Sequence, residues 1–151
     1  MSKTGLNHSE ARTEEQRALM AKIEADGVCP FCKEYFTTYH PKPLIKETDY
    51  WFVTENMSPY EGSSLHIIFV YKPAHISKPQ DISPDAAQNL FSLISEIADE
   101  RGIEGGSFFM RFGDPRWNGG SVEHLHAHMI VGTSKSENGE KIKVSLGWKV
   151  D

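Results

Sequence analysis

The spacing of apolar and polar residues along the chain predicts several short strands. Residues 65–71, LHIIFVY, form an almost continuous apolar run that ends at Lys72-Pro73, as expected of a well-buried strand. Residues 44–56, LIKETDYWFVTEN, have the composition of two short strands joined by a turn near Thr48. Three further strands are predicted in GSFFMRFG (106–113), in VEHLHAHMIV (122–131) and in KIKVSL (141–146), where Ile142, Val144 and Leu146 alternate with polar residues.

Two stretches have the apolar period of helices. Thr13 and Gln16 have the spacing of a capping box before the first stretch, and Gly27 is suited to its end. Ser83 followed by Pro84 is typical of a helix start, and the second helix is expected to run to Gly102. Its apolar positions are Ala87, Leu90, Phe91, Ile94, Ile97 and Ala98. The order of strands, helix and strands predicts an α+β domain on a mainly antiparallel sheet.

Length and charge narrow the class of protein. The chain of 151 residues fits one domain, expected over residues 13–151 after a flexible N-terminus at 1–12. The formal net charge of −5 disfavours general nucleic-acid binding, and no apolar run approaches the length of a membrane span. The N-terminus has no signal-peptide pattern, and the only two cysteines stand in CPFC, so we expect a reduced, cytoplasmic protein.

The most distinctive stretch is SVEHLHAHMIVG, which holds three of the seven histidines at alternate positions. On a strand, His124, His126 and His128 would share one face. All three could hardly bind one metal ion, because the first and third α-carbons would lie about 13 Å apart. Neutral imidazole is a good nucleophile near pH 7, and the middle residue, His126, has a histidine on each side. The preceding Gly120 and Ser121 would let the backbone and a hydroxyl approach a phosphate.

These residues resemble a known family. HLHAHMI is similar to the signature of the histidine triad (HIT) superfamily, in which histidines alternate with apolar residues. GGSVEHLHAH extends the likeness, SPYEGSSLHIIFVYKPAH resembles the upstream strand, and CPFC resembles the Cys-x-x-Cys of bacterial-type members that carry zinc. The resemblance implies a HIT-like fold with a sheet of about five strands and two main helices, a core at about 29–132, and a homodimer.

The resemblance also implies a function and residue roles. Family members act on nucleoside phosphoramidates and dinucleoside polyphosphates, which makes a nucleotide of adenine or guanine the expected substrate. His126 would attack the α-phosphorus to form a nucleotidyl-histidine intermediate. His128 would contact the phosphate or the leaving oxygen, Ser121 would donate a hydrogen bond there, and His124 would support the loop or bind metal. The third histidine favours hydrolase branches over those that end the motif in glutamine.

The chain departs from the family pattern beside the triad. Many members have Asn or Gln shortly before the Gly-x-Ser segment, where this chain has RFGDPRWNGG. The candidates to replace that residue are Arg111, Asp114, Arg116 and Asn118. For the ribose contact after the second strand, the nearest candidates are Glu55 and Asn56. We expect Asn56, Gly120, Arg116 and Asn118 to bind substrate.

The cysteine pair allows three interpretations: it is a redox pair, two inert thiols, or half of a zinc site. By resemblance, Cys29 and Cys32 would bind structural zinc together with His75 and His124. His40 and His66 are possible substitutes, although His66 lies within an apolar run and is also typical of a satisfied core histidine. His8 is expected to be a solvated tail residue.

Two other functions stay open. The protein could bind or sense nucleotides with little turnover, or it could be a hydrolase with a catalytic metal on the triad. Intact His124, His126, His128 and Ser121 favour the histidine-dependent enzyme. Tyr60 could stack on a base or pack in a turn.

Overall fold

The computed structural model describes residues 13–135 and 139–151, so the predicted flexible segment 1–12 and His8 lie outside the described residues. The strands are β1 (Leu44–Glu47), β2 (Trp51–Glu55), β3 (Leu65–Tyr71), β4 (Ser107–Met110) and β5 (His126–Val131). The helices are α1 (Glu14–Asp26), α2 (Phe36–Tyr39), α3 (Pro84–Glu100) and α4 (Pro115–Asn118), with a 3-10 turn at Pro79–Asp81.

The five strands form one antiparallel sheet in the order β1-β2-β3-β5-β4. The α+β class, the five-stranded sheet and the two main helices are therefore as the sequence predicts. α1 begins after Thr13, whose side chain accepts a hydrogen bond from the Gln16 N–H, and ends at Gly27 with φ of 70°. No helix among the described residues is long and apolar enough to cross a membrane.

The main core lies between α3 and one face of the sheet. Alternate residues of the central strands point into it, including Ile67 and Phe69 of β3 and Ala127 and Met129 of β5. Trp51 is fully buried there, and its indole N–H donates to the Ala86 carbonyl on α3. Since successive strand residues face opposite sides, the remaining residues of β3 and β5 point to the other face.

The buried face of α3 differs from the apolar face that the sequence predicts. Its buried residues are Ala86, Leu90, Leu93 and Ile97. Phe91 is 56% exposed and packs edge-to-face against Phe108 of β4, with ring centroids 5.4 Å apart. The helix has more apolar positions than the sheet can cover, so Phe91 points outward.

Three predicted elements differ in the structure. Residues 141–146 form no strand, although the alternation survives as half-buried Ile142 and Val144 between exposed neighbours. The loop DPRWNGG contains the one-turn α4, which Asp114 caps. β5 begins at His126 rather than at 122, because the Leu125 N–H donates to the Ile76 carbonyl at 2.7 Å and the chain here leaves the sheet.

Candidate active site and metal centre

The histidines of β5 lie on the sheet face opposite α3. His126 is paired with Val70 and His128 with Ile68 in the antiparallel register. Both imidazoles line a cavity of about 800 Å³, a size that suits a small-molecule ligand. The cavity is also walled by side chains of α1, of the loop at 56–62 and of the C-terminal segment after residue 139.

His126 presents an unprotonated nitrogen to this cavity. Its Nδ1 lies 2.7 Å from the His124 carbonyl oxygen, which can only accept, so Nδ1 carries the proton and Nε2 keeps its lone pair. Burial lowers the pKa of His126 to about 4, and the hydrogen bond to the His124 carbonyl opposes this shift. The ring is further held edge-on by Phe31, with centroids 5.0 Å apart. The His126 imidazole is therefore neutral at pH 7 and is held in one orientation.

His128 is oriented by a fourth histidine on the same face. The backbone N–H of Tyr60 donates to Nδ1 of His66 at 3.2 Å, so the proton of a neutral His66 lies on Nε2. That Nε2 is 2.8 Å from Nδ1 of His128 and donates to it. The proton of His128 is thereby placed on its own Nε2, which makes this nitrogen a hydrogen-bond donor.

Aromatic rings on two sides keep the His128 imidazole in this plane. Phe109 stacks on it with centroids 4.8 Å apart and an angle of 12°, and Tyr60 lies nearly parallel at 6.1 Å. Arg111 lies over the Phe109 ring at 5.1 Å and donates to the Tyr60 hydroxyl at 3.0 Å. Tyr60 thus packs against the histidines in the described structure, which supports the packing alternative for this residue.

Several of the predicted site residues line the same cavity. Ser121 and Asn56 both do so, and the Asn56 amide nitrogen lies 3.3 Å from each ring nitrogen of His66. Gly120 is buried beside this wall, where an added Cβ would lie 3.0 Å from the Asn118 side-chain oxygen. A side chain at this position would require Asn118 to shift by a few tenths of an ångström.

Arg116 and Asn118 are not among the residues that line this cavity in the described ranges. The exposed Arg116 pairs with Asp114 at 2.6 Å, and this pairing lowers the pKa of Asp114. Asn118 donates to the Phe112 carbonyl and accepts from the Gly120 N–H, both at 2.8 Å. Both side chains stabilise the loop before the triad, and it is Arg111 that lies at the cavity.

The cysteine pair forms a cluster with two histidines, one of which is His124, the first histidine of the triad. The ligand atoms of Cys29, Cys32, His75 and His124 all lie within 4.8 Å of one another. Three of the S···N distances are 3.5–3.7 Å, and the two Nδ1 atoms are 3.2 Å apart. Tetrahedral zinc, with bonds of about 2.3 Å to sulfur and 2.0 Å to nitrogen, requires separations of about 3.6 and 3.3 Å. The cluster could therefore hold a metal ion, and these residues fit zinc.

The protonation of the cluster also suits a cation. The Nε2 of His124 lies 2.6 Å from the Tyr71 carbonyl and donates to it, which leaves Nδ1 free to bind metal. Burial lowers the pKa of His124 to about 4. Burial and the neighbouring Cys29 thiol raise the pKa of Cys32 to about 12, so a cation is needed for both thiols to ionise. Four protein ligands would close the coordination sphere of a zinc ion here, as in structural rather than catalytic zinc sites.

Fold and site together define a class: an α+β protein whose antiparallel sheet carries alternating histidines beside a nucleotide-sized cavity. The sequence profile of the HIT domain matches residues 37–135. The chain belongs to the HIT family, as the sequence motifs predict. α1, the cysteine pair and the C-terminal segment lie outside the matched range.

Solved structures support the same fold. A histidine triad protein from Clostridium difficile is 25% identical, with a TM-score of 0.52 over 69% of this chain and 90% of that one. A protein described as a HIT-like protein gives 0.54 at 21% identity, over 67% of this chain and 96% of that one. A zinc-bound histidine triad family protein from Mycobacterium smegmatis gives 0.53 at 17% identity, over 73% and 76%. No curated protein matches the sequence.

His66 is the site residue that sequence reasoning undervalued. It was expected to be a satisfied core histidine, and it is indeed only 2% exposed. His66 precedes Ile68 by two residues and Val70 by four on β3, so the three side chains point to one face of the sheet. Ile68 and Val70 pair with His128 and His126, and this spacing in the sequence could have indicated that His66 shares their face.

Proposed function

We propose that this protein hydrolyses nucleotide compounds at the α-phosphate through a covalent intermediate on His126. The proposed substrates are nucleoside phosphoramidates and dinucleoside polyphosphates that contain adenine or guanine. The observation that carries the proposal is the tautomer of His126, whose unprotonated Nε2 faces a cavity with room for a nucleotide.

In the first step the Nε2 lone pair of His126 attacks the α-phosphorus. A bond forms between this nitrogen and phosphorus, and the bond from phosphorus to the leaving oxygen or nitrogen breaks. The Nε2–H of His128 donates a hydrogen bond to the phosphate or to the leaving atom, where negative charge develops. The hydroxyl of Ser121 lines the same cavity and donates a second hydrogen bond to the phosphate.

In the second step water attacks the same phosphorus and displaces the His126 nitrogen. A leaving amine takes up one proton as it departs, whereas a leaving phosphate departs as the anion, and the attacking water releases one proton. The products are a nucleoside monophosphate and the free imidazole, so the enzyme returns to its starting state. The low pKa of His126 favours this release, because a poorly basic imidazole is a better leaving group.

The cavity offers separate surfaces for the parts of a nucleotide. Leu19, Met20, Ile23 and Phe31 form an apolar wall that fits the base, and Asn56 is available to the ribose. Zinc bound to the cysteine-histidine cluster would supply only a structural cross-link. Cys29, Cys32 and His75 would then fix His124, and the His124 carbonyl in turn fixes the His126 tautomer.

The test is His126→Ala with adenosine phosphoramidate and diadenosine tetraphosphate as substrates. We expect turnover to fall by more than about a thousandfold while the fold is retained. Quenching the wild-type reaction should trap an adenylyl adduct on His126. An adduct on His124 or His128 would contradict the assignment, and binding of both nucleotides without turnover by the wild type would favour a nucleotide-sensing role.

A further inference from the structure

The C-terminal segment 139–146 borders two cavities, and residues 140–143 all line the cavity of the triad. Lys141, Lys143 and Ser145 line the cavity of the triad, whereas Val144 lines a second cavity beside β4 and Ile142 borders both. Side chains two residues apart in an extended chain point to the same side. The segment therefore brings two lysines to the cavity that His126 also lines.

The segment is fixed to the body of the protein at Ile142 and at Ser145, on either side of Lys143. Ile142 packs where Gly132 and Gly62 leave room: its Cδ1 lies 3.1 Å from the position of a Cβ on Gly132, and its Cγ1 lies 3.7 Å from that on Gly62. Arg111 donates from Nε and Nη2 to the Ser145 carbonyl at 3.1 and 2.6 Å. Lys143 therefore lies between two anchored residues, and Lys141 directly precedes the first of them.

The net charge of the residues that line the triad cavity has the opposite sign to that of the whole chain. Arg111, Lys141 and Lys143 face two carboxylates, Glu61 and Glu140, so the charged lining carries a formal excess of one positive charge. The whole chain has a net charge of −5. Among the described residues that line this cavity, Arg111, Lys141 and Lys143 are the lysine and arginine side chains that an anionic ligand could contact. A positively charged cavity in an acidic protein attracts anions through its own side chains rather than through the net charge of the protein.

From this placement we infer that Lys141 and Lys143 bind the phosphates beyond the α-phosphate and make the enzyme selective for dinucleoside polyphosphates over phosphoramidates. The inference rests on the proposed function for the position of the α-phosphate at His126. A polyphosphate leaving group carries several negative charges that the lysines neutralise. The amine of a phosphoramidate carries none and gains nothing from them.

The experiment measures equilibrium binding of diadenosine tetraphosphate and of AMP by calorimetry. All proteins carry His126→Asn, so that the ligand stays intact. The double variant Lys141→Met, Lys143→Met keeps the length of both side chains and removes their charge. Lys149→Met, on an exposed lysine outside the cavity lining, is the matched control.

We expect the double variant to weaken tetraphosphate binding at least tenfold and AMP binding less than twofold, with no change in the control. Equal weakening of both ligands, weakening of neither, or no binding of the tetraphosphate would overturn the inference. Turnover by the otherwise wild-type protein is a separate readout. If binding behaves as expected but neither substrate is hydrolysed, the proposed function fails and the polyphosphate site stands.

Discussion

The Nε2 atom of His66 lies 2.8 Å from Nδ1 of His128, and this contact determines which nitrogen of His128 carries its proton. The two residues are 62 positions apart in the chain and adjacent on neighbouring strands. A buried strand residue thereby sets the hydrogen-bonding role of His128, which we propose to contact the reacting phosphate.

The first prediction concerns this contact. His66→Phe keeps an aromatic ring but removes the Nε2–H donor, so His128 is free to take the other tautomer. We expect kcat to fall by about 10- to 100-fold with little change in KM, because substrate still binds to the unchanged cavity walls. Steady-state kinetics on either nucleotide checks this.

His40→Phe is the matched control for His66→Phe. It removes a partly buried histidine at the end of α2, which bonds to Thr54 and the Glu55 carbonyl rather than to the triad. A similar loss of kcat in both variants, or a loss seen only in KM, would contradict a positioning role for His66.

The second prediction concerns metal. We expect about one equivalent of zinc per chain in protein purified without chelator. Cys29→Ser should lower the melting temperature by more than about 5 °C, since a structural metal contributes to folding. Lys33→Ser, on the exposed residue after Cys32, is the control and should leave both zinc content and melting temperature unchanged.

Chelation separates a structural from a catalytic metal. If zinc only cross-links the protein, stripped protein that is still folded keeps substantial turnover. Complete loss of activity with an unchanged fold, restored by zinc, would instead support a catalytic metal. Metal analysis that finds no zinc would remove the prediction altogether.

The third prediction concerns pH. Burial lowers the pKa of His40 below its usual value, although the hydrogen bond to the Glu55 carbonyl opposes the shift. The unfolded state therefore binds the proton more readily, so His40 contributes instability that grows as pH falls below about 6.5. His40→Gln keeps an N–H donor without the titration, and its melting temperature should fall less than that of the wild type between pH 7 and 5. An equal decrease in melting temperature for the two proteins between pH 7 and pH 5 would refute this.

The fourth prediction concerns assembly. Phe91 and Phe108 form an exposed aromatic pair, 56% and 46% accessible, beside the edge strand β4. An unpaired edge next to apolar surface favours association with a second copy, and the family resemblance implies a homodimer. Light scattering at micromolar concentration should give a dimer for the wild type and a monomer for Phe108→Glu. Phe112→Glu, on an exposed phenylalanine outside the pair, should remain dimeric; a monomeric wild type would contradict the prediction.

Much of the fold was determined by local patterns in the sequence. The strand at 65–71, the cap at Thr13 and the start of α3 at Pro84 follow from side-chain periodicity and capping chemistry, which depend on residues within one or two turns. The alternation in HLHAH likewise places His126 and His128 on one face. The four metal-binding candidates came from resemblance to a family, since no local pattern links Cys29 to His75.

Tertiary structure decided the features that depend on distant partners. Residues 141–146 have the alternation of a strand, but they lie between two cavities rather than beside a free strand edge. Arg116 pairs with Asp114 while Arg111 reaches the cavity, a difference that composition cannot reveal. The proton on His128 is set by His66, and that hydrogen bond exists only because antiparallel pairing brings β3 beside β5. Periodicity determines which face a side chain occupies, whereas its partner is determined by the strand or loop that packs against that face.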